Sequence, residues 1–424
     1  MTDSSPSTYD VIIIGGGVIG LSTAMQLAFR GVRPLVIERD RLGSGSTSRA
    51  AGNLGQLRGT PAQTRFQIDA VTIIRDLEAR TGSELFIPSG SLRIAETPER
   101  VAEIQDLVAM GRALGLAAED LPIAEVARMA PYMRTDDLLK AVYFPTDGHV
   151  KPAELAAAYT QVGRKLGVTY RTQEWITEIL LDGHRAIGVR TNLGEYHAPA
   201  VVNAAGPWSY FVAGMTRTTL ATTALGHYYI TTRPDPARPI DRLGPVVRDR
   251  HHRIYARPES GGLLVGMYET EPVLYRPETF PVDFDMLALK AARDDLNVAH
   301  LIAAAGQRYP WINERTPMSV TTGIMTFSPD SQPLCGRLPD YEGLYYATGM
   351  SGRGIVQSPT IGLIMAELIL DGRSRYDLES ITADRYYRRP GYCERPEIEA
   401  KCIHMYATIY GGVEQTATKT EPRG

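Results

Sequence analysis

Cysteine is scarce. Cys335, Cys393 and Cys402 are the only three in 424 residues, an odd count without CxxC spacing. That excludes a disulfide framework and leaves no thiolate zinc motif, so no metal is expected and a reducing compartment, the cytoplasm, fits best. Charge of one sign is not in excess either. Lys and Arg number 45 against 48 Asp and Glu, a formal net charge of −3, which argues against a polybasic nucleic-acid or membrane binder. Long hydrophobic runs are missing. The apolar stretches at 11–21 and 360–370 fall short of the roughly 20 residues that span a bilayer. The opening MTDSSPSTY has no basic segment leading into an apolar one, so no export signal is expected. No GxSxG motif is present, and a hydrolase has no other support. What is there is a globular composition, 43% hydrophobic and 22% charged, in a chain long enough for about 2.8 average domains.

The chemistry begins at once. Residues 10–14, DVIII, read as a strand buried on both faces, and GGGVIG follows with Gly15, Gly17 and Gly20 in GxGxxG register. LSTAMQLAFRG then runs at helical spacing to Gly31, and a second strand at 34–37 ends at Glu38. Gly15 allows the tight turn, Gly17 lets a pyrophosphate approach the backbone, and Gly20 lets helix and strand pack closely. The helix N-terminus offers N–H groups and a positive dipole end to the phosphates, and Glu38 can accept from an adenosine ribose. This unit alone does not decide between NAD and FAD.

Three later segments bear on that choice. The loop RDRLGSGSTSRAAGNLGQLRGT carries hydroxyls at Ser44, Ser46, Thr47 and Ser48 that suit phosphate and a flavin ring, although a surface loop has a similar composition. In APAVVNAAGPW an apolar strand runs into Ala204, Ala205 and Gly206, small enough for close approach to a cofactor. Upstream, 175–181 and 186–191 read as a strand pair in which Ile176 can pack on an adenine; an ordinary hairpin reads the same way. Near the end, a strand at 344–347 enters GMSGRG, Gly349 to Gly354, and a helix follows from about 356 to 370. Its dipole, with Arg353, can stabilise negative charge on a reduced flavin.

Together these residues resemble the amine-oxidising flavoproteins related to D-amino-acid oxidase, and within them the dimethylglycine and sarcosine dehydrogenase branch. The matching stretches are DVIIIGGGVIG, GSTSRAAGNLGQLRG, FPTDGHVKP, LGHYYITT, IYARPESGGLLVGMYE, FSPDSQPLCG and GMSGRGI, in the family's order from about residue 9 to 375. The tail IHMYATIYGG is similar to the linker before a folate-binding domain in longer members; with the sequence stopping at Gly424, that domain is expected to be absent. The resemblance implies an α/β fold, a Rossmann-type FAD-binding domain (1–85, 146–215, 322–380) interleaved with an α+β substrate domain (86–145, 216–321), and a tail at 381–424. In the substrate domain, 99–114 looks helical, and 225–232 and 261–268 look like strands.

The resemblance places FAD against Gly15, Gly17, Val18, Ile19, Gly20, Glu38 and Arg39. It adds Ser46, Thr47, Ser48, Arg49, Ala50, Ala51, Gly52 and Leu57 from the loop, then Ile176, Ala205, Gly206 and Trp208. The last turn contributes Gly349, Ser351, Gly352, Arg353, Gly354 and Ile355. Three departures stand out. Arg49 replaces the His that bonds covalently to flavin in the dimethylglycine branch, and Gly323 stands where monomeric sarcosine oxidases carry a Cys, so FAD is expected to be non-covalent. Leu264 replaces the Lys that helps oxygen react, which puts oxidase activity in doubt and leaves O2 or another electron acceptor open.

His227 and Tyr255 fall where the branch places polar groups facing a small amine substrate. Either can guide the proton of an ammonium group, and only the free amine releases hydride readily; a core histidine and a cross-strand aromatic are the bland readings. A substrate carboxylate calls for Arg. The candidates are Arg58, ranked first because it leaves the flavin loop, and Arg248, Arg253 and Arg257; the bland reading is a solvated surface charge. The pair His251-His252 has no third ligand at metal spacing and reads as a polar turn. The basic, aromatic RYYRRPGYCERPE reads as a docked peptide rather than a nucleic-acid arm. The expected activity is FAD-dependent oxidation of the C–N bond of a secondary or tertiary amine such as an N-alkyl amino acid. A D-amino-acid dehydrogenase, an opine or specialised-metabolite oxidase, and a non-catalytic flavoprotein scaffold are the alternatives.

Overall fold

The computed structural model describes residues 7–281, 284–286, 289 and 294–409. The first six residues of the polar N-terminus and the end of the tail from 410 on lie outside the described residues. A six-stranded sheet has the order Thr169–Thr172, Pro34–Glu38, Val11–Ile14, Val201–Asn203, Leu344–Thr348, Leu334–Arg337. All but the last strand pair in parallel. The VIII and PLVIE runs carry no polar residue until Glu38 because both faces of this sheet are covered.

Helix Val18–Phe29 crosses from the first strand to the second, and helix Gly354–Asp371 packs beside it. Gly362 permits that contact: a Cβ there would lie 2.2 Å from the Ser22 hydroxyl oxygen. The apolar run at 360–370 thus belongs to an 18-residue helix, long and apolar enough by composition to cross a membrane, contrary to the reading from the run alone. About 67% of it is buried inside the protein, against the helices Val18–Phe29 and Pro61–Thr81.

A nine-stranded sheet stands beside the first. Its centre is Thr223–Thr232, Gly262–Met267, Ile254–Glu259, Val246–Asp249, Ser91–Ala95 and Lys140–Phe144, and the long strand Pro317–Phe327 pairs along Thr223–Thr232. Helices Pro98–Ala113, Ile123–Met129 and Asp294–Arg308 cover it. Its strands come from two separated stretches of the chain, so the two sheets interleave in sequence. The hairpin Ile176–Asp182 with Arg185–Thr191 forms a smaller sheet with Glu195–His197 and Ser7–Thr8. The tail is docked: Arg385 bonds Asp330, Tyr387 and Arg388 bond Asp340, and helix Arg395–Thr408 packs on the large sheet. All three cysteines are free.

Candidate active site

The turn between strand Val11–Ile14 and helix Val18–Phe29 is built for close approach. Gly15 has φ 109°, and a Cβ on it would lie 2.5 Å from the Ala204 carbonyl oxygen. A Cβ on Gly20 would lie 2.0 Å from the Gly15 carbonyl oxygen. The Glu38 carboxylate accepts the N–H of Gly16 at 2.7 Å and of Asp40 at 2.9 Å, and the Thr47 hydroxyl accepts the N–H of Val18 at 3.2 Å. Each Glu38 oxygen keeps acceptor capacity for a ribose hydroxyl. Burial raises the Glu38 pKa against these backbone bonds.

A cavity of about 680 Å³ reaches from this turn to the large sheet. Every cofactor position named from the sequence lines it, except Gly20 and Ser48. Gly20 acts through packing alone. Ser48 is exposed, and its hydroxyl turns back to the Ser44 and Gly45 carbonyls at 2.9 and 3.1 Å, closing its own short helical turn. Arg39 lies 4.5 Å over the Trp208 ring on one wall, and Ile176 lines the cavity together with Glu174, Trp175 and Thr177. At the far end, helix Gly354–Asp371 presents its N-terminus. The Arg353 guanidinium is engaged by Ser331, 2.8 Å from the carbonyl oxygen and 2.6 Å from the hydroxyl. The free positive end there is thus the helix dipole, not that side chain. A glycine cradle, an acidic ribose acceptor and a second helix N-terminus along one cavity fit a dinucleotide.

Arg49 and Gly323 meet in this cavity. A Cβ on Gly323 would lie 3.0 Å from the Arg49 Cβ, and the Arg49 guanidinium donates to the Met286 carbonyl at 3.0 Å. The two positions where the resemblance expects a covalent attachment residue are therefore one place in space, and neither side chain can make the bond. Leu264 is buried on the same sheet face, in register with Arg257 and Thr231.

On that face, His227 Nε2 lies 2.8 Å from the Tyr255 hydroxyl, and both residues line the cavity. Tyr255 pairs directly with Gly266, whose missing side chain makes room for the phenol; a Cβ there would lie 2.2 Å from the Tyr255 hydroxyl oxygen. Tyr268 completes the cluster, its ring centroid 4.9 Å from that of His227. Burial pulls the His227 pKa down to about 3, so the ring is neutral at physiological pH.

The four candidate arginines divide. Arg58 and Arg248 line the cavity. Arg248 lies directly across from Tyr255 on one side and Arg93 on the other, which puts all three on one face. No hydrogen bond or ion pair engages the Arg248 guanidinium among the described residues. Arg253 and Arg257 do not line this cavity, and neither is a solvated surface charge. Arg253, at φ 63°, donates to the carbonyls of Tyr268, Glu269 and Ala407. Arg257 is buried and donates to the carbonyls of Ala51 and Pro258 and to Glu259.

Sequence reasoning missed Tyr268, Arg93 and Arg250, which also line the cavity, and Tyr406 and Glu269 behind it. Strand alternation from Leu264 through Gly266 would have reached Tyr268; nothing in the sequence links 406 to 227. The His251-His252 pair lies in a turn, as expected. Glu96 and Asp249 bring ligand atoms within 4.8 Å of one another and of His252, a grouping that spacing did not reveal. The fully buried Arg308 sits among them, 2.8 Å from Asp249, 2.5 Å from Glu96 and 2.7 Å from Asp137, which makes the cluster an ion network.

Comparison with known proteins agrees with this geometry. The profile of the FAD dependent oxidoreductase (DAO) family matches residues 10–368. The chain is 32% identical over 392 residues to mitochondrial sarcosine dehydrogenase of Mus musculus, covering 90% of this chain and 42% of that protein. It is 26% identical over 386 residues to the mitochondrial pyruvate dehydrogenase phosphatase regulatory subunit of Mus musculus, covering 90% of this chain and 43% of that one. The chain thus spans less than half the length of these relatives. The crystal structure of glycine oxidase from Geobacillus kaustophilus superposes with a TM-score of 0.76 at 26% identity, covering 89% of this chain and 98% of that one.

Proposed function

The chain belongs to the family of FAD-dependent oxidoreductases, and from that premise we propose that it oxidises the C–N bond of a secondary or tertiary amine bearing a carboxylate, an N-alkyl amino acid such as sarcosine or dimethylglycine. The His227–Tyr255 contact at the cavity wall carries this reading. FAD, when bound, supplies the hydride acceptor for the carbon next to nitrogen. An ammonium nitrogen has no free lone pair to drive that transfer. The phenol of Tyr255, hydrogen-bonded to the neutral His227, is placed to accept a hydrogen bond from the ammonium and guide its proton, and burial keeps the His227 ring uncharged. Arg248, assisted by Arg58, is the group for the carboxylate, through a planar bidentate fork. The imine product is released, and water hydrolyses it to formaldehyde or an oxo acid. Arg49 and Gly323 support a non-covalently held FAD, and the interleaved domains named from the sequence would bring cofactor and substrate together along this cavity.

The test is a product assay. The holoprotein is incubated with sarcosine, dimethylglycine, D-amino acids and opines plus an artificial electron acceptor, and formaldehyde, oxo acid and acceptor reduction are followed. Formaldehyde from an N-methyl amino acid, lost in His227→Asn, is the expected result. No product from any amine would instead favour a non-catalytic role, a reading that the similarity to a regulatory subunit keeps in play.

A further inference from the structure

The His227–Tyr255 contact continues behind the cavity wall. His227 Nδ1 lies 2.8 Å from the Tyr406 hydroxyl, and that hydroxyl donates to the Glu269 carboxylate. Tyr406 comes from helix Arg395–Thr408, outside the residues 10–368 of the family match. It is fully buried, with its ring against Tyr268 and Phe327. Arg253 fixes both ends of the contact by donating to the carbonyls of Glu269 and Ala407. Glu269 is 4% exposed, and its Oε1 has no partner among the described residues.

The direction of the chain follows from its last member. An ionised carboxylate only accepts, so Tyr406 gives it its hydrogen. The Tyr406 oxygen then accepts Nδ1–H of His227, which leaves Nε2 bare to accept from Tyr255. The Tyr255 oxygen is thereby left with its acceptor capacity at the cavity.

We propose that Tyr406 and Glu269 are positioning residues that act through His227 and Tyr255 as a relay, moving one proton from the ammonium form of the substrate to the buried carboxylate. The proposal rests on the C–N oxidation reading. The ammonium N–H passes to the Tyr255 oxygen as one hydrogen shifts at each link, from Tyr255 to Nε2, from Nδ1 to Tyr406, and from Tyr406 to Glu269. No electron moves. The positive charge on nitrogen and the negative charge on Glu269 vanish together, so the transfer leaves no separated pair of charges along the buried path. After product leaves, the proton returns to water by the same links in reverse. His227, Tyr255 and Tyr268 face this path from the sheet, Tyr406 from the helix, and Arg253 is the cation beside Glu269. Burial outweighs that cation and raises the Glu269 pKa to about 7, where a proton can be both taken and released at neutral pH.

Tyr406→Phe and Glu269→Gln test this in the flavin-loaded protein. Infrared difference spectra between acidic and alkaline pH should show a carboxylic C=O band that titrates near neutrality. It should disappear in Glu269→Gln and shift in Tyr406→Phe. Glu96, also raised to about 7 in the Arg308 network, supplies a second band that both variants leave in place. In wild type the rate of flavin reduction by an amine should rise with pH through the Glu269 titration. Both variants should lose that limb and fall about 100-fold at neutral pH, then approach wild type at high pH, where the amine is already free. An infrared band indifferent to either variant, or a profile lowered by one factor at every pH, overturns the relay. A band that behaves as expected in a protein whose flavin no amine reduces instead overturns the C–N reading and the substrate half of the relay with it.

Discussion

At the scale of single residues, the arginines show why residue type alone ranks candidates poorly. Arg58, Arg248, Arg253 and Arg257 are chemically identical, and only their partners separate them. Arg253 and Arg257 are committed to carbonyl oxygens, while the Arg248 guanidinium faces the cavity next to Tyr255. Arg248→Ala should therefore raise KM for a carboxylated amine by about ten-fold or more with little change in kcat, as loss of one charged contact does. Arg253→Ala should leave KM nearly unchanged and lower the thermal midpoint. Steady-state kinetics beside a melting curve checks both. Equal KM effects would remove Arg248 from the substrate site.

At the scale of elements, the local signals were the legible ones. Glycine spacing, an uninterrupted apolar run and an acidic strand end placed the nucleotide turn, because each is set by contacts within some 30 residues of chain. The helix observed at Pro98–Ala113 and the strand at Thr223–Thr232 came within a residue or two of where periodicity put them. What stayed hidden were contacts across the chain: Gly323 against Arg49, and Tyr406 on His227, the last separated by 179 positions. A helix or loop laid on a distant strand creates these, and no local pattern encodes it. Gly266 illustrates the point. Its place in GLLVGMYE looks interchangeable with alanine, yet a Cβ there would lie 2.2 Å from the Tyr255 hydroxyl oxygen. Gly266→Ala should displace the phenol, break its contact with His227 and slow flavin reduction by about 100-fold, with substrate affinity largely kept. Stopped-flow absorbance on the variant reads this directly, and an unchanged rate would dissociate Tyr255 from the chemistry.

At the scale of the whole molecule, one buried cation ties the covering helices to the sheet behind the cavity. Arg308 on helix Asp294–Arg308 holds Asp249, the neighbour of Arg248, together with Asp137 and Glu96. Arg308→Met removes the cation that Asp249, Asp137 and Glu96 share, leaving only Arg134 on Asp137 and His252 on Asp249, and should cost on the order of 3–5 kcal/mol. The loss should be largest above neutral pH. Without the guanidinium the carboxyls titrate higher than in wild type, so falling pH protonates them and relieves the repulsion. Denaturant midpoints at two pH values test this; a loss that grows on acidification contradicts it.

The central claim is that this cavity holds FAD and passes it hydride from an N-alkyl amino acid. The most direct measurement is the visible absorbance of the purified protein before and after anaerobic mixing with sarcosine and dimethylglycine. The account predicts a bound flavin band, released by denaturation without proteolysis, that bleaches with at least one of these amines. A protein that cannot be loaded with flavin, or a flavin band that no amine alters, would contradict it.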